Sequence, residues 1–439
     1  MRKELHLATT STWIHMVVAM LILSCDSGTQ VSAITDPNDI EALKEVKASI
    51  DAATIDATSC VGSWDFNVDP CTSRFGEQFT CGIDCTSGGH TSVLPNASMD
   101  AYERVTSLQL DDAGYAGVLS PWLGNLTGLR FLRMSGNALR AEIPASIGML
   151  SQLMMFDLSF NNLSGSIPDS ILMLHNLQSL NLAHNKLVGS IPPFLNKLSY
   201  LTELRLESNQ LSGPFPDLRK LGLLQMLDAS NNRLSGPFPR QLPPSLCSVC
   251  LRNNEFSGKL PKSIATLNQL NVLDVSNNAF IGCVGDAMLA HPTLQQLNLS
   301  MNKLSQLRAH PKHVAKSRMV ALDLSYNMLS GPLPSIFAGM RELASLSLRY
   351  NFFHGVIPRS YGVKAIANAE DMKPLERLML DGNYLTGPLP APFMHVASDR
   401  SMSASFVDNC FVDCPQKFTF CQGKSQKAQT LCRLFNSSP

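Results

Sequence analysis

The sequence has no surplus of either charge. Its 35 Lys and Arg balance 35 Asp and Glu over 439 residues, with no dense basic run, so the field that draws proteins to nucleic acid is missing. Downstream of Ala33 the chain has no apolar run of membrane-spanning length, so no later segment reads as a membrane span and no cytoplasmic domain is expected to follow. Catalytic signatures are missing as well: there is no Gly-x-Ser-x-Gly elbow, no Gly-x4-Gly-Lys-Ser/Thr loop and no His-Glu-x-x-His. "DDAGYAGVL" has glycines without the spacing or following helix of a nucleotide site. These absences point to a non-enzymatic binding protein, with no cofactor and no metal expected.

What is present starts with an export signal. Arg2 and Lys3 precede the apolar run "WIHMVVAMLIL", and Val31-Ser32-Ala33 offers small residues for cleavage before Ile34. The mature chain is expected to be secreted whole. Of 12 cysteines, Cys25 leaves with the signal; Cys60, Cys71, Cys81 and Cys85 form one group and Cys410, Cys414, Cys421 and Cys432 another. The first group lacks the two close pairs of a zinc site, so disulfides in an oxidising compartment are expected. Four cysteines allow three pairings, which leaves connectivity open. Cys247, Cys250 and Cys283 lie between the groups, and at least one of them must stay unpaired.

Between the cysteine groups the chain repeats. Asn185 and Asn209 hold the same place in one frame of leucines, with equivalents at 137, 161, 232, 254, 278, 302, 327, 351 and 383. A period of this size, about two dozen residues, means a solenoid. With each Asn as position n, leucine-like residues fall at n−8, n−5 and n−3, so each turn supplies one short strand whose n−6, n−4, n−2 and n−1 side chains face outward. The buried Asn carboxamide can bond the backbone of adjacent turns and form a ladder. Gly213-Pro214-Phe215-Pro216 and its relatives carry the chain round the far side.

The flanks read as caps. "DPNDIEALKEVKASI" places Ile40, Leu43, Val46 and Ile50 at helical spacing over the first repeat, with Trp64 and Phe79 as plugs. After the array, Phe406, Phe411, Phe418 and Phe420 are suited to plug the open end, and Lys417, Lys424, Lys427 and Arg433 read as a solvated surface.

"NNLSGSIPDSILMLHNLQSLNLAHNKLVGSIPPFLNKL" resembles the plant-type extracellular leucine-rich repeat, over about residues 105 to 395. The preceding segment is similar to the N-terminal cap of plant leucine-rich repeat receptors. The resemblance implies an α/β solenoid, a right-handed superhelix with a parallel β-sheet on its concave face and cysteine-stapled caps. The boundaries are then 1–33 for the signal, 34–104 for the N-terminal cap, 105–395 for about 12 repeats and 396–439 for the C-terminal cap. The family holds receptor kinases, receptor-like proteins without kinases, and secreted inhibitors of fungal polygalacturonase. With neither kinase nor span, the chain is expected to be a receptor-like protein of the apoplast or cell wall. It would bind a peptide, protein or wall-derived ligand on the concave face, in signalling or defence, and present it to a membrane-bound receptor kinase. The alternative is an inhibitor of a wall-degrading enzyme.

Departures from the frame mark candidate sites. The intervals from Asn209 to Asn232 and from Asn232 to Asn254 are shorter than the rest, and the turns after Asn278 and Asn302 lose the Gly-x-φ-Pro pattern. The interval from Asn351 to Asn383 is the longest, and its extra residues are expected as a longer convex loop. On the concave face Arg205 is expected to touch Asp228 across one strand spacing of about 4.8 Å. Asp228 and Asp274 stand two strands apart in an open polar ladder, which lacks the closed cleft of a glycosidase pair. Tyr326 and Tyr350 at n−1, with Arg349 and Arg377, form the preferred ligand group, because Tyr and Arg so often dominate interfaces. Phe131, Arg133, Phe160 and His184 form a second group. No strand carries the Arg-x-Arg pair with which some family members hold a peptide carboxylate. Sequons stand at Asn96, Asn125, Asn162, Asn298 and Asn436; a sugar on Asn298, at n−4, would occupy the concave face.

Overall fold

The computed structural model describes residues 34–73, 78–79, 81–86, 102–314, 316–367, 372–395 and 402–436. The signal segment and Asn96 lie outside them. One 14-stranded sheet runs the length of the array. Its first pair, Ile83–Thr86 with Arg104–Gln109, is antiparallel, and every later strand is parallel to its neighbour. Most strands are three residues long because only the n−5 side chain turns inward between two outward ones, as in Ser179-Leu180-Asn181. Register is strict: Arg205 lies opposite Asn181 on one side and Asp228 on the other.

The asparagines form the ladder that the spacing predicts. Asn185 Nδ2 donates to the carbonyls of Leu158, Leu182 and Ala183 at 2.9, 3.2 and 3.2 Å, and its Oδ1 accepts from Leu163 N–H at 3.0 Å. The ladder also has a rung that the leucine frame does not reveal. Asn409 donates to Leu380, Phe406 and Val407 carbonyls and accepts from Leu385 N–H. Strand Ser403–Ser405 joins the main sheet just before it. Ala404 and Phe406 replace the usual leucines there, which hides the repeat from a pattern search.

Next to the ladder, the n−1 residue adopts a left-handed backbone in turn after turn, including Phe160, His184, Ser208, Asn231, Asn253, Asn277, Met301, Tyr326 and Tyr350, with φ between 50 and 58°. This geometry lets its N–H reach the following turn, as Tyr326 N–H does to Arg349 O at 2.9 Å. The cost of a non-glycine residue there is offset by the continuous inter-turn hydrogen bonding.

On the convex side, Pro144, Pro168, Pro261 and Pro334 each precede a 3₁₀ helix, their fixed φ preparing the first turn. The two turns that lose the Gly-x-φ-Pro pattern carry short α-helices instead, Asp286–Leu289 and Pro311–Val314. The two shortened turns, 217–225 and 239–247, carry no helix at all.

Both ends are closed. Helix Pro37–Ala48 is capped by Asp36, whose side chain accepts from Asn38 N–H. Leu43, Val46 and Ile50 are buried, and Trp64 stacks on Phe79 with centroids 6.3 Å apart. Asp39, fully buried, binds Arg104 Nη2 at 2.8 Å and Val105 N–H at 2.8 Å, which ties the cap to the first strand of the array. At the other end Phe406, Phe411 and Phe420 are buried. Disulfides join Cys60 to Cys81, Cys71 to Cys85, Cys410 to Cys432 and Cys414 to Cys421. Cys247, Cys250 and Cys283 are all free.

The extra residues before Asn383 include helix Arg359–Ala365, packed between the 3₁₀ helices of the adjacent turns. Its Lys364 is 1% exposed and donates to the carbonyls of Met340 and Lys373 at 2.7 and 2.9 Å. Burial pushes this amine down to about 8, against the pull of Glu342. The folded state therefore holds the proton less tightly than the unfolded chain. Stability should rise with pH between about 8 and the ordinary lysine value of 10.5, and this group should contribute no slope below that window. Thermal melts of wild type and Lys364→Met across pH 7 to 10.5 read the difference; parallel curves would refute it.

Candidate functional site

The outward faces of the strands do not all reach solvent as alternation suggests. At n−2, Ser159, Ser230, Ser276 and Ser325 are buried, each bonded to the aspartate two residues earlier. Asp228 Oδ1 accepts from Ser230 N–H and Oγ at 2.9 and 2.6 Å, and Asp157, Asp274 and Asp323 repeat the arrangement. The n−4 acids are thus held by their own turns. This overturns the expected Arg205–Asp228 contact: the two residues are in register, but Arg205 Nε turns back to Glu203 on its own strand at 2.5 Å.

The middle of the concave face is acidic. Burial raises the Glu207 carboxyl above its usual range, helped by Asp228 and Glu203 and opposed by Arg205. Burial likewise pushes the Cys250 thiol up to about 11, with Asp228 and Asp274 adding to it. At neutral pH this thiol stays protonated and unreactive. Asn298, the sequon residue on this face, donates to Asp274 at 3.3 Å and accepts from Ser300 Oγ at 2.7 Å. A glycan on Asn298 would replace one of the two Nδ2 hydrogens and leave the other for Asp274. Asn125 lies in a convex 3₁₀ helix and Asn162 opens a two-residue strand. Asn436 ends the last helix.

The n−1 side chains form a second ladder beside the asparagines. Phe160 stacks on His184 with centroids 4.1 Å apart. In the middle, Asn253 donates to Asn231 at 2.9 Å and Asn277 to Asn253 at 2.8 Å. Tyr326 then stacks on Tyr350 at 4.6 Å and 13°. The tyrosine stack continues into the cap. Tyr350 lies over Gly382, where a Cβ would come within 2.6 Å of the ring, so only glycine fits beneath it. Its hydroxyl accepts from Lys424 Nζ at 3.0 Å. Arg349 binds Asp381 Oδ2 through Nη2 at 2.7 Å and through Nε at 3.1 Å. Burial opposes the Arg349 charge most, yet its pKa is raised because the hydrogen bond and charge of Asp381, with Tyr326 and Tyr350, together outweigh that effect.

Two of the candidates are therefore already engaged: Tyr350 with the cap, and Arg349 with Asp381. Lys427 likewise binds Asp408 at 2.9 Å and Lys417 lies over the Phe418 ring, so these cap lysines serve the cap itself. Tyr326 remains 46% exposed and leads a patch absent from the candidate group, with Met301 at 51%, Met328 at 52% and Phe352 at 37%. Met328 and Phe352 follow the ladder asparagines at n+1, a position the strand pattern left unconsidered. Arg377 is not part of this group. It stands at n−6, at the opposite end of the strands, and lines a 260 Å³ depression with Asp274, Asn298, Asp323 and Ser347.

At the N-terminal end Arg133 and Phe160 share a 510 Å³ depression with Asp111, Asp112 and Asp157. Arg133 Nε donates to Ser135 Oγ at 3.0 Å. Phe131 lies at n−6, away from this depression, and His184 is taken up by the Phe160 stack.

Among the described residues no helix is long and apolar enough to cross a membrane. Residues 88–367 match the model of the leucine-rich repeat region family. Receptor-like protein 35 of Arabidopsis thaliana is 34% identical over 147 residues, which is 33% of this chain and 14% of that protein. This chain thus spans only a small part of such relatives. Among solved structures, the plant peptide hormone receptor RGFR1 in complex with RGF2 superposes with a TM-score of 0.61 at 30% identity, covering 70% of this chain and 47% of that one. The Arabidopsis receptor kinase HAESA, in complex with the peptide hormone IDA and the co-receptor SERK1, gives 0.54 at 28%, covering 67% and 52%. The strand-per-turn solenoid, its asparagine ladder, the stapled ends and these likenesses agree, and the chain belongs to the leucine-rich repeat family, in the plant-type extracellular class that includes the receptor-like proteins.

Proposed function

We propose that this chain is a secreted, non-enzymatic receptor-like recognition module of the apoplast, which binds an extracellular peptide or protein through the C-terminal part of its array. The observation that carries this reading is the change in the n−1 and n+1 rows. The n−1 row is polar through Asn231, Asn253 and Asn277 and turns apolar at Met301 and Tyr326, and the n+1 row turns apolar one repeat later, at Met328 and Phe352, all four exposed. Contiguous exposed apolar and aromatic side chains mark interaction surfaces. Arg349 and Asp381 border the patch with a fixed, partly buried ion pair. Two similar solved ectodomains are complexes with peptide hormones, one of them with a co-receptor, which supports a peptide ligand and a receptor-kinase partner here.

The test uses Tyr326→Ala/Met328→Ser, because Tyr350 also supports the cap. Wild type and variant are immobilised and offered purified receptor-kinase ectodomains, plant secreted peptides and a fungal polygalacturonase. Capture of an ectodomain or peptide by wild type, weakened tenfold or more in the variant, is expected for a hot-spot tyrosine. Equal capture by both proteins would remove the patch from the reading. Tight binding of the polygalacturonase alone would replace the receptor-like role with inhibition.

A further inference from the structure

The edge of the sheet opposite the tyrosine patch holds a depression of 640 Å³ lined by Gln295, Lys316, Ser317, Arg318, Val320, Arg341, Glu342 and Lys373. Among the described lining residues, four cations and one acid sum to a net charge of +3, in a chain whose formal total is zero. Lys373 pairs with Glu342 at 3.3 Å. For Lys316, Arg318 and Arg341, all exposed, no ion pair with another described residue exists.

These cations come from three successive turns. Lys316 and Arg318 precede strand Ala321–Asp323, Arg341 precedes Ser345–Ser347 and Lys373 precedes Arg377–Met379. Turns stack at about 4.8 Å, so the charges form a row across the array with the spacing of a strand ladder. The last of them is set by the insertion: Lys373 N–H donates to Arg341 O at 2.9 Å, and the buried Lys364 ammonium holds Lys373 O at 2.9 Å. The extra residues thereby deliver a fourth cation to the row.

We propose that this depression binds an acidic oligosaccharide, a linear chain with a carboxylate on each sugar. A row of cations asks for a ligand with repeated negative charge. The lining also decides between ligand classes, for Val320 is the one apolar side chain among its described residues, whereas a peptide would need apolar anchors. Arg forks grip carboxylates in pairs, and Gln295 offers an amide for sugar hydroxyls. The site is separate from the tyrosine patch: it shares no lining residue with it, and Arg318 and Arg341 stand eight and nine residues before Tyr326 and Tyr350.

Isothermal titration with an eight-sugar oligogalacturonate tests it, comparing wild type, Arg318→Glu/Arg341→Glu and the control Lys259→Glu/Lys262→Glu. All four residues are at the surface, so unchanged melting curves certify the folds. Wild type and control should bind alike, the double Arg variant should bind at least tenfold more weakly, and the affinity should fall between 50 and 300 mM salt as exposed charges are screened. The fully methyl-esterified oligomer, with no charge, should not bind. Equal binding by the Arg variant overturns the proposal. Tighter binding of an eight-residue polyglutamate reassigns the depression to acidic peptides, and displacement by equimolar sulfate reduces it to an adventitious anion only; both results overturn the oligosaccharide reading. None of these outcomes depends on Tyr326.

Discussion

Asn302→Ala should destabilise the array by about 3 to 5 kcal/mol, the sum of an orphaned buried donor and several lost hydrogen bonds. Asn302 Nδ2 donates to Val275, Leu299 and Ser300 carbonyls, and Oδ1 accepts from Phe280 N–H. The two sides of the carboxamide are not equivalent. Each of the carbonyls keeps another donor: Asn278 Nδ2 at Val275, Asn327 Nδ2 at Leu299, and Asn277 N–H at Ser300. Phe280 N–H loses its side-chain acceptor in a buried position. Hydrogen exchange at the Phe280 amide should accelerate most, and denaturant melts should show the loss. Asn302→Asp should be worse than alanine at pH 7, although it preserves an acceptor, because a carboxylate oxygen would then face three carbonyls. That Asp would titrate above its unfolded value, so the variant should recover stability as pH falls through its raised pKa towards the unfolded one. If Asp proves milder than Ala, the donor side of the ladder matters less than this geometry requires.

Loss of the Cys410–Cys432 bridge should cost about 3 kcal/mol, and loss of Cys414–Cys421 about 2, on a chain-entropy estimate for closed loops of these lengths. The sequence separations are 22 and 7 residues. The longer bridge also ties down helix Gln429–Asn436, whose Phe435 stacks on Tyr384 at 3.6 Å and meets Phe352 at 6.3 Å. Paired Cys→Ser variants can be ranked by limited proteolysis of the C-terminal cap, since a solenoid end opens locally and a single melting midpoint would blur the effect. The Cys410/Cys432 variant should be cut first and should expose more of Phe352. Equal resistance of both variants would mean that packing of Phe406, Phe411 and Phe420 alone closes the end.

The repeat, the inward leucines, the asparagine ladder and the aromatic plugs were legible because each follows from period and burial, which sequence states directly. Connectivity of the cysteines was not, since spacing permits three pairings per cap. The rung at Asn409 was hidden by Ala404 and Phe406. Side-chain choices on the concave face were the hardest to read. Alternation places Asp228 outward, but it cannot say that Ser230 will capture it in place of Arg205. The candidate site divides in the same way: Tyr326 and Tyr350 do stack, as neighbours at n−1 should, whereas Arg377 belongs to another edge. The partners of Arg349 and Tyr350, Asp381 and Lys424, sit 32 and 74 residues away in sequence. Met301 stands in the outward n−1 row that the spacing already defines, whereas the exposed Met328 and Phe352 stand at n+1, outside the strand alternation.

The two turns without a convex helix bear on the opposite surface. Strand spacing on the sheet side is fixed by backbone hydrogen bonds, so a turn can lean relative to the next only by as much as its back is thicker than its front. Residues 217–225 and 239–247 have thin backs, and the arc should be straighter there than where 3₁₀ or α-helices stand behind the strands. A rounded ligand would meet its best-fitting curve on either side of that flat stretch, so that two short deletions on the back of the molecule act as a ruler for what its front can embrace.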